Sequence, residues 1–303
     1  MSETARPVGA VRAIVGESPV WSEADRCIYW VDILGGLVHR YETDSGSNRY
    51  WRMPEHVGNL VLVDGGGLLV ALEGGLHLFV PETGALATLC DIKVDLADQR
   101  FNDGTCDPRG RLWIGSMAME EPVRRAVGPL FRFSPDGTIA RMLDGFLIPN
   151  GMAFSPDGRT FYVSDSHPSA QTIWAFDYDL DDGALSNRRV FATTHDLPGR
   201  PDGGTVDADG FYWSANVGGG CLVRFDPDGR IDRTIDVPTE KPSKVAFGGL
   251  SLDVMYITSI NHNLQNRDEQ GLAGSLFRLD AGIRGLPPNR FGPLEQLSTG
   301  QGT

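Results

Sequence analysis

Apolar residues along this chain fall in short runs. Ile28-Tyr29-Trp30-Val31, Leu60-Val61-Leu62-Val63, Arg111-Leu112-Trp113-Ile114, Thr160-Phe161-Tyr162-Val163 and Met255-Tyr256-Ile257-Thr258 are brief, β-branched and aromatic. Turn residues bound most of them, as in Ser134-Pro135-Asp136-Gly137, Ser155-Pro156-Asp157-Gly158, Asp207-Ala208-Asp209-Gly210 and Asp226-Pro227-Asp228-Gly229. That punctuation predicts strand–turn–strand units. No apolar stripe of period 3.6 is sustained, so no long helix is predicted.

The units repeat. Asp107-Pro108-Arg109-Gly110-Arg111-Leu112-Trp113-Ile114 resembles Pro156-Asp157-Gly158-Arg159-Thr160-Phe161-Tyr162-Val163 and Asp207-Ala208-Asp209-Gly210-Phe211-Tyr212-Trp213. Each follows a polar anchor by a few residues. The anchors Glu17, Asn59, Asn102, Asn150, Asp202 and Ser243 are 42, 43, 48, 52 and 41 residues apart. Four short strands per 40–50 residues is the signature of a β-propeller. The expectation is all-β: one domain over residues 1–303, a six-bladed propeller with four-stranded antiparallel blades. Ala10-Val11-Arg12-Ala13-Ile14-Val15 reads as a strand that closes the ring by completing the last blade. A sandwich would explain the strands but not the long period.

Composition narrows the partners. Among 303 residues, 27 Lys and Arg face 40 Asp and Glu, a net charge of −13. No basic cluster appears, which argues against nucleic acid and anionic membrane as partners. No run approaches the roughly 18 apolar residues of a membrane span, and the N-terminal stretch lacks a signal-peptide pattern. The four scattered cysteines, Cys27, Cys90, Cys106 and Cys221, fit a reducing compartment, so the cytoplasm is expected, and a closed propeller makes a monomer the plain expectation.

In a propeller the first strand of each blade lines the central channel, so equivalent anchors face one another. Taken alone, Asn-Gly and Asp-Gly are common turn dipeptides. Two carboxylates and three amides converging in a narrow channel are another matter, because buried polar groups need partners. A cation would relieve the repulsion between Glu17 and Asp202. Hard oxygen donors favour Ca²⁺, with Mg²⁺ and Mn²⁺ as alternatives; Zn²⁺ and Fe²⁺ remain open although those ions usually add His or Cys. The six histidines show no metal-binding spacing.

Gly16-Glu17-Ser18-Pro19-Val20-Trp21, Arg100-Phe101-Asn102-Asp103-Gly104, Gly115-Ser116-Met117-Ala118, Pro149-Asn150-Gly151-Met152-Ala153-Phe154-Ser155 and Pro201-Asp202-Gly203 occur in that order. With Phe247-Gly248-Gly249 and Gly285-Leu286-Pro287, they resemble the SMP-30/gluconolactonase/luciferin-regenerating-enzyme family over nearly the whole chain. The resemblance implies a six-bladed propeller, one divalent cation in the central channel and hydrolysis of sugar lactones. It makes Glu17, Asn150 and Asp202 the metal ligands, with Asp202 also the general base. Arg100, Asn102 and Glu120 become substrate contacts. Arg200 stands before Pro201 where some members carry an apolar residue.

The chemistry agrees with these residues. A cation can polarise a lactone carbonyl and lower the pKa of water; a neighbouring carboxylate can take the proton. No G-x-S-x-G signals a serine nucleophile. A related propeller esterase or phosphotriesterase, or a non-catalytic calcium-binding propeller, are the alternatives. The polar Arg100, Asn102 and Glu120 favour a polyol substrate over the first. The complete set Glu17, Asn150 and Asp202 argues against the second.

Overall fold

The short apolar runs become strands, and each blade takes four of them. In this computed structural model residues 4–92, 98–120, 122–266, 268 and 270–293 are described, and among them there is no helix. Six four-stranded antiparallel sheets occupy residues 16–52, 57–91, 99–146, 149–193, 200–236 and, with a strand from the N-terminus, 242–279. They form a six-bladed β-propeller. The first strands pack on one another in sequence around the axis, and the sixth returns to the first.

Second strands such as Cys27–Asp32, Leu112–Ala118 and Tyr212–Val217 are buried throughout, because both faces of a blade meet neighbouring blades. Trp113 and Trp213 sit at matching places in blades 3 and 5, paired with Thr105 and Thr205, and are fully buried. The apolar clusters lie between adjacent blades, not inside one. Outermost strands such as Leu185–Thr193 are largely exposed. The turns behave as their sequences ask: Gly137, Gly158, Gly210 and Gly229 adopt positive φ and donate to the carbonyl three residues back.

Ring closure corrects one expectation. The strand that completes the sixth blade is Arg6–Val8, paired antiparallel with Leu276–Leu279, not residues 10–15. Residues 10–15 cannot form a ladder there because their backbone is spoken for. Ala13 donates to the Gly274 carbonyl, and the amides of Ile14 and Val15 donate to the Asp32 carboxylate. Val15 keeps a single bridge to Ile260.

Each inner strand is interrupted at its anchor. Register against the second strand slips between Glu17 and Val20, Val57 and Asn59, Phe101 and Gly104, Asn150 and Ala153, Pro201 and Gly204, and Pro242 and Lys244. A bulge bends its strand and re-aims a side chain; Glu17, Asn102, Asn150 and Asp202 face the open end of the channel, whereas Asn59 bonds Ser18 and Gly104 and Ser243 bonds Gly16 and Thr258 on the neighbouring strands. The bulge needs unusual backbone. Gly151, after Asn150, has φ +59°, and a side chain there would collide with the Tyr212 hydroxyl. Ser18, after Glu17, accepts the same conformation (φ 48°) without being glycine.

One end of the channel is strapped shut. The segment after the last strand bridges Asp207 at Gly285 and Val63 at Phe291, and Asn289 Nδ2 donates to the Cys106 carbonyl at 3.0 Å. The other end is open. No helix in the described residues is long and apolar enough to cross a membrane. The four cysteines are free thiols.

Candidate active site

At the open end lies a cavity of about 600 Å³. Glu17, Arg100, Asn102, Asn150, Ser166, Arg200 and Asp202 form its polar part, and Ile33, Leu34, Met117, Met119 and Ile148 supply apolar wall. Five of the six candidate residues from the sequence are therefore brought together. The sixth is not. Glu120 lies on the loop after Leu112–Ala118, half-exposed, where it accepts from Arg125 Nε at 3.1 Å and from the Arg124 amide. It does not line the cavity.

Three side chains fix the approaches to the three proposed ligands. Asp32 accepts the amides of Ile14 and Val15 (2.9 and 3.0 Å), just ahead of Glu17. Asp165 does the same for Leu147 and Ile148 (2.7 and 3.0 Å), just ahead of Asn150. Asn216 donates to the Pro198 carbonyl at 3.0 Å, ahead of Asp202. Each stands at or near the end of the second strand of its own blade.

The centre is rich in acceptors and poor in donors. Glu17 Oε2 accepts from the Ser18 amide at 2.7 Å. Asp202 Oδ1 accepts from Asn150 Nδ2 at 2.5 Å and from Ser166 Oγ at 3.4 Å. Asn150 Nδ2 also reaches Ser166 Oγ at 2.9 Å, while Asn150 Oδ1 is buried without any hydrogen-bond partner. Burial pushes the Glu17 carboxyl well above its usual range, with repulsion from Asp202 and Asp103 adding to it. Burial also carries Asp202 up to about 7; Arg200 opposes that shift and Asp103 reinforces it.

Two carboxylates short of donors beside an orphaned amide oxygen are what a hard divalent cation would satisfy. Among the described residues, no three His, Cys, Asp or Glu side chains gather into a metal-holding group. The fit therefore depends on the mixed set of Glu17, Asp202 and Asn150.

Arg100 and Asn102 are locked as a pair. Arg100 Nη1 donates to Asn102 Oδ1 at 2.9 Å and to the Phe101 carbonyl at 3.0 Å. Asn102 Nδ2 donates to the Pro149 carbonyl at 3.0 Å, which ties blade 3 to blade 4 next to Asn150.

Two residues that the sequence reading passed over complete the picture. Lys244, on the inner strand of blade 6, is buried and forms an ion pair with Asp103 on that of blade 3. Asp103 Oδ2 also accepts the Met152 amide at 3.0 Å. Lys244 lines a second cavity of about 310 Å³ toward the strapped end, not the open one. The pair joins three inner strands behind the carboxylates. The clue in the sequence was a lysine inside the apolar run Val245-Ala246-Phe247 and its anchor; its partner, 141 positions away, left none.

Comparison with known proteins adds independent findings. The family model described as SMP-30/Gluconolactonase/LRE-like region matches residues 15–261. A pentonolactonase of Haloferax volcanii is 37% identical, over 91% of this chain and 94% of its own length. A 6-deoxy-6-sulfogluconolactonase of Pseudomonas putida is 35% identical over 96% and 99%. Among solved structures, a calcium-binding protein, regucalcin, from Agrobacterium tumefaciens superposes with a TM-score of 0.88 at 26% identity, covering 96% of this chain and 98% of that one.

Proposed function

The chain belongs to the SMP-30/gluconolactonase/LRE-like family, and from that membership and the cavity we propose that it is a divalent-cation-dependent hydrolase of sugar lactones. The observation that carries this reading is the buried set of Glu17, Asp202 and the unpartnered Asn150 Oδ1. The lactonases among its relatives support the substrate class. The calcium-binding neighbour supports a cation, with Ca²⁺ the first choice for three oxygen donors.

Glu17, Asn150 and Asp202 would hold the cation, which would supply Lewis acidity toward the lactone carbonyl and make water more acidic. Asp202 is the base: its buried carboxylate lines the cavity and, among the described residues, makes no ion pair within it that would compete for the proton. It takes a proton as water adds to the carbonyl carbon. The ring C–O bond then breaks, and the ring oxygen takes that proton back to give the open aldonic acid. Asn150 and Ser166 hold Asp202 in place through its Oδ1.

Arg100 presents a rigid fork to ring and hydroxyl oxygens, steadied by Asn102 and the Phe101 carbonyl. Asn102 lies beside it at the cavity wall. Glu120 would serve as a hydroxyl acceptor only by giving up Arg125. The apolar wall of Ile33, Met117 and Ile148 covers the sugar's carbon face and displaces water.

The test is to strip the protein with chelator, restore Ca²⁺, Mn²⁺, Mg²⁺, Zn²⁺ or Fe²⁺ singly, and follow acid release from five- and six-membered aldonolactones. Restored hydrolysis with at least one ion is expected. No hydrolysis with any ion would overturn the reading.

A further inference from the structure

The cations of the open cavity are not equally occupied. Arg100 bonds Asn102 and the Phe101 carbonyl. Lys241 Nζ donates to the His262 carbonyl at 2.9 Å and to that of Asn263 at 2.5 Å, pinning the lip of blade 6. His56 Nδ1 lies 2.5 Å from Glu73. Arg200 is different: its Nε is buried without a hydrogen-bond partner, and the guanidinium makes no hydrogen bond or ion pair among the described residues. Pro201 follows it and restricts its backbone to extended conformations, where it pairs with Val217. The stem is thus set by the strand, two residues ahead of Asp202, and it lines the cavity.

A charge count points the same way. Glu17 and Asp202 are the only carboxylates among the described lining residues, and a divalent cation would balance them. The Arg200 charge is then left over, inside a chain whose net charge is −13. Arg200 is half-buried and feels the charge of Asp202; once a cation engages that carboxylate, the guanidinium gains from a ligand that supplies an acceptor. Hydroxyls of a neutral sugar would satisfy it in part. An oxyanion fits the planar fork with two charge-assisted bonds, about twice as strong as neutral ones.

We infer that Arg200 makes this cavity a receptor for aldonolactones carrying an oxyanion, such as a carboxylate or phosphate, at the end of the sugar remote from the reacting carbonyl. The inference rests on the lactonase reading and narrows its substrate class. The oxyanion docks on Arg200 while the carbonyl faces Asp202, so Arg200 is a specificity determinant and takes no proton. The charge of Arg200 also attracts an anion that has passed the acidic surface, an effect that salt weakens.

The experiment compares D-glucaro-1,4-lactone with D-glucono-1,4-lactone, which differ only in a C6 carboxylate against a C6 hydroxymethyl group. Cation-loaded wild-type protein and Arg200→Met and Arg200→Lys variants are assayed at low and high salt. Wild type is expected to prefer the carboxylated lactone by about tenfold or more in kcat/KM, the scale of one charge-assisted contact. Arg200→Met should abolish the preference through KM, costing the carboxylated lactone about tenfold more in kcat/KM than the neutral one; Arg200→Lys should restore part of it; and 0.5 M salt should shrink it.

Equal turnover of both lactones by wild type would overturn the inference, as would an equal loss on both in Arg200→Met. The latter would instead mark Arg200 as a contact to the reacting carbonyl or to Asp202. Calorimetric binding of D-glucarate and D-gluconate decides the point independently of turnover. A glucarate preference that Arg200→Met removes supports the receptor even if neither lactone is hydrolysed, in which case only the lactonase reading falls. No glucarate preference overturns it.

Discussion

The molecule buries two kinds of acid, and they are treated in opposite ways. Asp107 and Asp207 occupy equivalent turns of blades 3 and 5 and are fully buried. Each is saturated. Asp207 Oδ1 accepts the amides of Asp209 and Phe211, while Oδ2 takes Trp213 Nε1 and the Arg224 guanidinium, all within 3.1 Å. Asp107 repeats this with the amides of Arg109 and Arg111, the Arg111 side chain and the Tyr178 hydroxyl. Glu17 and Asp202, at the bulges, are nearly as buried yet receive one backbone amide, one side-chain amide and one long hydroxyl contact between them. Burial of an acid does not mark a site. Burial with its lone pairs unspent does, and an orphaned amide oxygen beside it sharpens the mark.

The contrast predicts that one pair governs chemistry and the other governs folding. Asp202→Asn removes the base while keeping shape, so lactone turnover should fall by about 10³-fold, within the span of general-base catalysis and a lost cation ligand. Its cation-free melting temperature should stay level or rise, because a buried charge is gone; retained activity would break the assignment. Asp207→Ala strands Arg224 and the Trp213 indole, and should cost about 3–5 kcal/mol of stability. Below its lowered melting point the folded fraction should keep turnover within a few-fold, and a large loss of kcat in folded protein would erase the distinction.

Glu17→Gln should leave the cation-free protein as stable as wild type but remove most of the rise in melting temperature that added Ca²⁺ gives. An unchanged rise would remove Glu17 from the ligand set.

The smallest effect is in pH. The folded-state carboxyls of Asp202 and Glu17 are raised, so the folded chain binds more protons than the unfolded one between their two sets of pKa values. Their contribution is fully present below about pH 4 and is lost as pH rises through about 7, the value for Asp202. Against that single background, cation-free wild type should lose about 2–4 °C more between pH 5 and pH 8 than cation-free Asp202→Asn does. Parallel pH profiles would show that Asp202 is not the buried, donor-poor acid described above.

How much could be read from the sequence divides along similar lines. The six blades were legible because strand, turn and aromatic positions recur locally, and anchors at one repeat position converge by construction. Glu17, Asn150 and Asp202 were found for that reason. What made them point inward was not legible: the bulges show only in pairing register. The closing strand was missed because Arg6-Pro7-Val8 is three residues with no alternation, whereas the better-looking Ala10–Val15 surrenders its amides to Asp32. Asp103 and Lys244 are adjacent only in space, and Glu120 has a nearer partner in Arg125 than any ligand.

The sixth blade, built from residues 6–8 and 242–279, carries a consequence for how the protein comes into being. Ser243 Oγ grips the Gly16 carbonyl at 2.5 Å, directly before Glu17. On the ribosome, a nascent chain of five blades already contains Glu17, Asn150 and Asp202, but the first blade has nothing to lean on across the gap. Glu17 reaches its place only when residues synthesised some 230 positions later arrive, the slowest kind of contact to form. The carboxylate set is thus completed only when the sixth blade closes the ring, and a chain cut before that blade should leave Glu17 without its neighbour.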